Sequence, residues 1–312
     1  MLVAGASGFV GRNLIAAMAR RGQPGMGLSR SGEEGERGPV RLRRVASYAD
    51  GDAVAAAAEG CDSLILLAGR AHVLKEAAGE AGPAFRQANC EVPAALARAF
   101  AQAGGRRIVF VSSVAVHGPP RGAEPLREED IPAPVSDYGR SKLAGERALT
   151  AFCTEAGLEL VVIRPPLVYG PDAPGNFGRL LRAAKRGLPL PLGAVNNRRD
   201  LIGIDNLVDL LLLCAEHPAA AGELFLVSDG ETFSTTRIAA TLYDAAGHPH
   251  RLLPLPTPML RAAAKLLGRG DAAARLLDDL RIDAGRVRAR LGWQAPVGTL
   301  EGLRKCVEGD VQ

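Results

Sequence analysis

The stretch Leu2-Val3-Ala4-Gly5-Ala6-Ser7-Gly8-Phe9-Val10-Gly11 decides the fold of this chain. Its first three residues predict a short apolar strand, and its glycines predict a tight turn. The amphipathic run that follows, from Arg12 to Arg21, predicts a helix. Glycine at positions 5, 8 and 11 permits the turn, the approach of the backbone to a pyrophosphate, and close packing of the helix on the strand. The positive helix N-terminus favours phosphate groups. We therefore predict that the turn binds a dinucleotide; the alternative is a glycine turn without a ligand.

Strand and helix patterns alternate over roughly the first 165 residues, which predicts a parallel sheet with helices on both faces. We expect an α/β fold with a doubly wound Rossmann domain at 1–168, to which the chain returns at about 200–217. Beyond Pro171 proline and glycine are frequent and the predicted strands are short. Residues 169–312 are therefore predicted to form a smaller α/β region that binds the substrate.

Composition excludes several other classes of protein. The chain has 312 residues and a net charge of +4, with its arginines scattered among acidic residues, so no nucleic-acid partner is expected. No apolar run approaches the ~20 residues of a membrane helix, and no targeting segment is recognisable, so we expect a cytoplasmic protein without a membrane partner. The five cysteines form no C-x-x-C pair, which favours reduced thiols and no metal site.

Two further positions concern the dinucleotide. Arg30 stands at the end of the second predicted strand, where a protein that prefers NAD has Asp or Glu for the ribose hydroxyls. An arginine there can pair with a 2′-phosphate, which favours NADP(H) or dual use, and the alternative is a solvated turn residue. Ala68-Gly69 ends another strand with small residues that allow a flat cofactor to pass.

Candidate catalytic residues come from the segment Asp137-Tyr138-Gly139-Arg140-Ser141-Lys142. Tyr138 and Lys142 are four residues apart at a predicted helix start, so they share one face. A cation beside a phenol favours the phenolate and lowers its pKa, which suits proton exchange with an alcohol or ketone. Ser113 follows the strand predicted at 106–112 and lies on the same rim as the glycine turn, where its hydroxyl can bond a reacting carbonyl oxygen.

Taken together, these motifs resemble the extended short-chain dehydrogenase/reductase family, of the NAD-dependent epimerase/dehydratase type that acts on nucleotide sugars. The resemblance rests on Gly5 to Gly11, Phe110-Val-Ser-Ser-Val-Ala-Val-His-Gly118, Tyr138-Gly-Arg-Ser-Lys142 and Arg164-Pro-Pro-Leu-Val-Tyr-Gly-Pro171. It implies that Tyr138 transfers the proton, that Lys142 lowers its pKa and binds the ribose, and that Ser113 donates to the C4 oxygen.

The resemblance also implies ligand contacts and an assembly. Asn176 and Arg199 resemble residues that hold the nucleoside diphosphate, with a turn asparagine and a surface ion pair as the alternatives. A homodimer is implied, through the helices that contain Asn89 and Lys142. The complete set of predicted NAD or NADP contacts is Gly5, Ser7, Gly8, Phe9, Val10, Gly11, Arg30, Leu67, Ala68, Gly69, Tyr138, Lys142 and Pro165.

Departures from the family pattern narrow the predicted chemistry. Val114-Ala115 replaces the Asp-Glu pair that the dehydratases need for elimination, and His117 replaces a common tyrosine. An Arg-Pro-Gly-Asp segment of many 4-epimerases is absent, with Arg269, Arg275 or Arg281 as candidate substitutes. We therefore favour reduction of a UDP-4-keto-6-deoxy-N-acetylhexosamine. The alternatives are a UDP-hexose or N-acetylhexosamine 4-epimerase with tightly bound NAD and a non-catalytic NADP(H) sensor. His72 is left open as a substrate contact.

Overall fold

The glycine-rich stretch folds as the sequence predicts, into a strand, a turn and a helix. This is seen in a computed structural model, which describes residues 1–70, 81–119, 124–268 and 270–308. The strands are β1 (Leu2–Ala4), β2 (Gly25–Ser29), β3 (Gly35–Arg37), β4 (Val40–Arg44), β5 (Ser63–Leu66), β6 (Arg107–Val111), β7 (Glu159–Arg164), β8 (Leu167–Tyr169), β9 (Arg199–Gly203), β10 (Leu224–Leu226) and β11 (Thr232–Phe233).

Helices connect these strands. They are α1 (Phe9–Arg20), α2 (Gly51–Ala58), α3 (Ala81–Arg86), α4 (Val92–Gln102), α5 (Asp137–Ala156), α6 (Gly175–Lys185), α7 (Ile204–Glu216), α8 (Thr235–Ala245), α9 (Thr257–Leu266), α10 (Gly270–Leu277), α11 (Gly285–Leu291) and α12 (Thr299–Glu308). In the described parts of the chain, no helix combines the length and apolar character needed to cross a membrane.

The strands of the described residues form two sheets. Eight lie in the order β10-β7-β6-β5-β1-β2-β4-β3, with every neighbouring pair parallel except β3 and β4. The other three lie in the order β11-β9-β8. The large parallel sheet confirms the predicted Rossmann-type α/β fold. Because the carboxyl ends of its parallel strands share one edge, the ends of β1, β5, β6 and β7 all open onto the same rim.

The core lies on both faces of the large sheet. Successive strand residues point to opposite faces. Val3 and Ile65 accordingly pack with residues of α1 and α7, whereas Leu64 and Leu66 pack with residues of α2, α4 and α5. Each fully buried Leu or Ile stabilises the fold by about 1.5–3 kcal/mol. The short strands Ser63–Leu66 and Leu2–Ala4 are therefore held firmly between two helical layers.

Two local predictions are wrong. The polar, glycine-rich segment 31–39 is predicted from its sequence to be a loop, but it contains β3, which pairs antiparallel with β4. The segment from Ala84 to Ala103 is predicted from its sequence to be one long helix, but the structure divides it among α3, a π-helical turn at Gln87–Glu91, and α4. This turn holds Asn89, whose buried side chain contacts the loop after β5, so a tertiary contact accompanies the break in the helix.

Candidate active site

The turn between β1 and α1 has the close packing that its glycines predict. Gly5 has φ +95°, and a Cβ there would lie 2.7 Å from the nitrogen of Ala68 and 2.8 Å from the carbonyl carbon of Leu67. A Cβ on Gly11 would lie 2.2 Å from the oxygen of Gly5. Gly8 precedes α1 as its N-cap and provides no side-chain acceptor. The first N–H groups of the helix, at Phe9 and Val10, are thus suited to an anion, and the turn fits a pyrophosphate.

The end of β2 joins this turn. Gly32 donates its backbone N–H to the hydroxyl of Ser29 at 3.0 Å, and a Cβ on Gly32 would lie 3.3 Å from Cβ of Ser7. Arg30, exposed directly after β2, has its guanidinium 5.7 Å from the ring centroid of Tyr48. A cation, not a carboxylate, therefore follows this strand, as a 2′-phosphate would require.

Tyr138 and Ser113 meet at the rim of the sheet. Tyr138 is the second residue of α5, whose N-cap Ser136 accepts a backbone N–H in the first turn. Ser113 lies just after β6 and caps a short 3-10 turn, accepting the backbone N–H of Ala115 at 3.2 Å. It also hydrogen-bonds the phenol of Tyr138. Ser113 therefore both caps the 3-10 turn and contacts the candidate catalytic phenol.

The pKa of Tyr138 differs from the sequence-based expectation. Burial raises this pKa, while the hydrogen bond from Ser113 and the charge of Arg275 act in the opposite direction. The ring also packs edge-on against Phe85, with centroids 5.9 Å apart. The phenol is thus held in its protonated form, and Lys142 is not among the groups that lower its pKa.

The ammonium group of Lys142 is hydrogen-bonded to the backbone of the neighbouring strand β6. Its ammonium donates to the carbonyl oxygen of Val111 at 2.9 Å and lies 5.0 Å from the ring centroid of Phe110. Burial lowers the pKa of Lys142 to about 8, and the carboxylate of Glu146 opposes this. A Cβ on Gly69 would lie 3.2 Å from the ammonium nitrogen. Lys142 therefore lies beside the glycine after β5, along the path predicted for the cofactor.

Asn89 is a site residue whose role the sequence did not show. Its amide nitrogen donates to the oxygen of Arg70 at 3.0 Å and to the hydroxyl of Ser141 at 2.9 Å, and its oxygen accepts from the nitrogen of Arg70 at 2.9 Å. A Cβ on Gly69 would lie 2.7 Å from that oxygen. Asn89 thus fixes the end of β5 against α5. Only the tertiary fold brings positions so distant in sequence together.

Behind the candidate catalytic residues, Ser112, His117, Glu146 and Arg164 form what we call the buried charge cluster. Glu146 accepts from the hydroxyl of Ser112, from Nε of Arg164 at 2.9 Å, and from Nη2 of Arg164 at 2.5 Å. Nη1 of Arg164 lies 2.9 Å from Nε2 of His117. Burial and the Arg164 charge lower the pKa of His117 to about 4, so the imidazole is neutral and accepts at Nε2.

The buried charge cluster joins three elements that carry the site, namely the end of β6, the middle of α5 and the end of β7. Ser112 precedes Ser113, Glu146 follows Lys142 by one helical turn, and Arg164 ends β7 just before Pro165. The oxygen of Pro165 accepts from the nitrogen of Val114 at 3.1 Å, which joins the same segments through the backbone. Glu146 could have been suspected from its spacing to Lys142, because residues four apart on a helix share a face.

The predicted diphosphate contacts lie on other elements. Arg199 starts β9 and is buried, and its Nη1 donates to the oxygen of Asp278 at 2.6 Å. Asn176 is the second residue of α6 and accepts from Arg179. Of the three arginines suggested as substitutes, Arg275 is the one whose charge acts on Tyr138, whereas Arg269 lies outside the described residues, as does His72.

Comparison with known proteins agrees with this geometry. The model of the NAD dependent epimerase/dehydratase family matches residues 1–228, which include the glycine turn, Ser113, Tyr138 and Lys142. The chain belongs to this family. It is therefore an enzyme of the extended short-chain dehydrogenase/reductase type, and the NAD dependence of the family agrees with the predicted nicotinamide cofactor.

Individual members of the family are similar over most of the chain. A UDP-glucose 4-epimerase of Vibrio cholerae is 37% identical over 247 residues, which cover 78% of this chain and 75% of the relative. An N-acetyl-α-D-glucosaminyl-diphospho-ditrans,octacis-undecaprenol 4-epimerase of Escherichia coli O157:H7 is 25% identical over 326 residues, 99% of this chain and 94% of the relative. The structure of MoeE5 in complex with UDP-glucose and NAD superposes with a TM-score of 0.75 at 26% identity, covering 98% and 97% of the two chains.

Proposed function

We propose that this enzyme transfers hydride at C4 of a hexose joined to a diphosphate, and that the net reaction is 4-epimerisation of a UDP-linked sugar. The observation that carries the proposal is the half-buried phenol of Tyr138, hydrogen-bonded to Ser113 at the rim where the glycine turn and Lys142 also lie. The 4-epimerases of V. cholerae and E. coli support the position and outcome of the reaction.

The protein's own groups account for the proton. Oxidation of a C4 hydroxyl requires Tyr138 as phenolate, which accepts the proton, and reduction of the C4 ketone then requires the protonated phenol, which donates it. Ser113 donates a hydrogen bond to whichever oxygen carries the negative charge, which stabilises phenolate and developing alkoxide alike. Lys142 contributes a fixed positive charge at the ends of β5 and β6. A nicotinamide bound at this rim supplies the acceptor and donor of hydride.

Cations are also available for the diphosphate. Arg199 is held rigidly by the carbonyl oxygen of Asp278, and Arg275 lies on α10, within electrostatic reach of Tyr138. Guanidinium groups match the geometry of phosphate oxygens and remain charged when buried. We propose that Arg199, Arg275 and Asn176 bind the diphosphate. The V. cholerae and E. coli relatives are named for substrates in which a sugar is joined to a diphosphate, although the group beyond it differs.

A second candidate is reduction of a UDP-4-keto-6-deoxy-N-acetylhexosamine by NADPH. The observation that favours it is Arg30, exposed after β2 beside the ring of Tyr48 and suited to a 2′-phosphate. An epimerase retains its cofactor through both half-reactions, whereas a reductase consumes one reduced cofactor for each product. The stoichiometry of the cofactor therefore separates the two candidates.

The test is to incubate the purified enzyme with UDP-glucose and, separately, with UDP-N-acetylglucosamine, adding NAD, and to identify the products by NMR. We expect conversion of at least one substrate to its 4-epimer without net change in absorbance of the reduced cofactor. The Tyr138→Phe enzyme is the control. A separate incubation contains the UDP-4-keto-6-deoxy-N-acetylhexosamine and NADPH. If NADPH is oxidised there, and neither UDP-glucose nor UDP-N-acetylglucosamine gives a 4-epimer, the reductase replaces the epimerase as the proposed function.

A further inference from the structure

Helix α9 differs from helix α5 of the candidate active site in its burial, because none of the residues of α9 is buried. Met259 is 60% exposed and Leu266 is 89% exposed, and Leu267, directly after the helix, is 72% exposed. Residues seven apart lie on one side of a helix, so Met259 and Leu266 share a side. Single exposed leucines are ordinary on protein surfaces, but three large exposed apolar side chains within residues 259–267, two of them on one side of the helix, indicate a contact surface.

The charge around this surface is net positive. Residues 251–280 contain five basic and three acidic residues, in a chain whose total net charge is only +4. Arg261 and Lys265 are four residues apart on α9, so they share another side of the helix, and both are exposed. Arg261 also forms an ion pair with Asp278 at 2.5 Å. An apolar side beside a basic side is the pattern of helices that lie in a membrane interface.

The position of α9 connects this surface to the candidate active site. Asp278 accepts from Arg261 through its carboxylate and from Arg199 through its backbone oxygen. Arg275, on the neighbouring helix α10, acts electrostatically on Tyr138. The exposed surface therefore adjoins the end of the cleft at which the diphosphate is expected.

We propose that Met259, Leu266 and Leu267, flanked by Arg261 and Lys265, form a surface that docks on an anionic lipid bilayer. The apolar side chains would enter the boundary between headgroups and acyl chains, and the exposed Lys265, adjacent to Leu266, would contact acidic headgroups. A second copy of this chain is a poorer occupant, since a two-fold contact would bring the same cations together. Docking places the helix on the bilayer surface without requiring it to span the membrane.

This docking has a consequence for the substrate that rests on the proposed function. If the sugar lies at Tyr138 and the diphosphate at Arg199 and Arg275, the group beyond the diphosphate leaves the cleft near α9. A bilayer at that surface presents a diphosphate-linked sugar that is anchored by a lipid chain. The binding of α9 to lipid does not depend on the reaction at C4, so the two proposals fail separately.

The test is flotation of the full chain with vesicles of phosphatidylcholine alone or mixed with phosphatidylglycerol. We expect flotation with the anionic vesicles, reduced by salt because the electrostatic part is screened. The Met259→Ser/Leu266→Ser/Leu267→Ser variant should partition at least about tenfold more weakly, since it loses three side chains able to enter the interface. The matched control is Ile131→Ser/Leu188→Ser, which removes exposed apolar side chains elsewhere and should bind like the original chain.

Four results would overturn the proposal. The first three are no flotation with anionic vesicles, equal binding by the triple variant and the original chain, and equal losses in the triple and control variants. Light scattering provides the fourth, if the original chain is a dimer that the triple variant separates into monomers, because the surface then belongs to a second copy. Activity on a water-soluble UDP-sugar, assayed without vesicles, should be the same in the triple variant, so a failure of the proposed C4 chemistry is recognised independently.

Discussion

Helices α5 and α9 differ in how far their side chains are buried and in whether those side chains have partners within the protein. In α5, Lys142 and Glu146 are buried and have partners on β6, β7 and the segment between β6 and the 3-10 turn. In α9 no residue is buried, and Met259 and Leu266 face outwards. One helix is fixed by the protein itself, and the other offers its apolar side to something outside the chain.

The difference shows what each region requires. Proton transfer needs heavy atoms within hydrogen-bond reach, so groups such as Tyr138 must be held by rigid neighbours. Buried ions are held only where they are paired, and the buried charge cluster pairs Glu146 with Arg164. A docking surface needs no such precision, because burial of apolar area is non-directional. The same substitution should therefore have different consequences in the two regions.

The largest effect is expected at the phenol. Tyr138→Phe should lower kcat on the UDP-sugar by about 10³-fold, because the group that transfers the proton is removed. The unfolding free energy should change little, and thermal unfolding measured with the activity checks this. Tyr243→Phe, which removes a phenol on α8, should leave kcat unchanged; a comparable fall in both variants would remove Tyr138 from its proposed role.

The next effect tests the buried charge cluster. Glu146→Gln should destabilise the fold by about 3 kcal/mol, because Arg164 keeps its charge in a buried position without a counter-charge. The free energy of unfolding in urea measures this. Glu301→Gln breaks an exposed pair with Lys305 one helical turn away and should cost less than about 0.5 kcal/mol. Equal costs in the two variants would show that burial does not distinguish these ion pairs.

A smaller effect depends on pH. The pKa of His117 is lowered to about 4 in the fold, so the unfolded chain binds this proton first as pH falls below the ordinary value of about 6.5. The unfolding free energy should therefore fall between pH 6.5 and 4, by about 2.5 kcal/mol, because one pKa unit corresponds to about 1.4 kcal/mol and the proton uptake is only partial at both ends of this range. His117→Gln keeps an acceptor for Arg164 and should lose this part of the pH dependence. An identical pH profile in both proteins would contradict the interpretation.

The smallest effect on stability is expected at α9. Each of Met259→Ser, Leu266→Ser and Leu267→Ser should change the unfolding free energy by no more than about 0.5 kcal/mol, because these side chains are already exposed. The measurement is again unfolding in urea, with Ile131→Ser for comparison. A loss of several kcal/mol would mean that α9 packs against the protein, and the contrast with α5 would disappear.

Much of this could be predicted because the signals are local. The glycine turn, the alternation of strand and helix, and the spacing of Tyr138 and Lys142 are all properties of short segments. The π-helical turn at Asn89 and strand β3 were missed because both depend on contacts with other segments. We expected Lys142 to lower the pKa of Tyr138, but the Lys142 ammonium donates a hydrogen bond to the carbonyl oxygen of Val111 instead. This contact could not be predicted because the sequence does not show which residues are neighbours in space.

The sequence by itself determined the nucleotide-binding architecture and the candidate catalytic residues, since backbone sterics and hydrophobic periodicity act over a few residues. Only the tertiary structure decided which charges neutralise one another around Glu146 and which apolar side chains around Met259 are exposed in the described part of the chain. The physical reason is that desolvation and pairing depend on distance in space. Residues such as Ser112, Glu146 and Arg164 acquire their partners only when the strands and helices are packed.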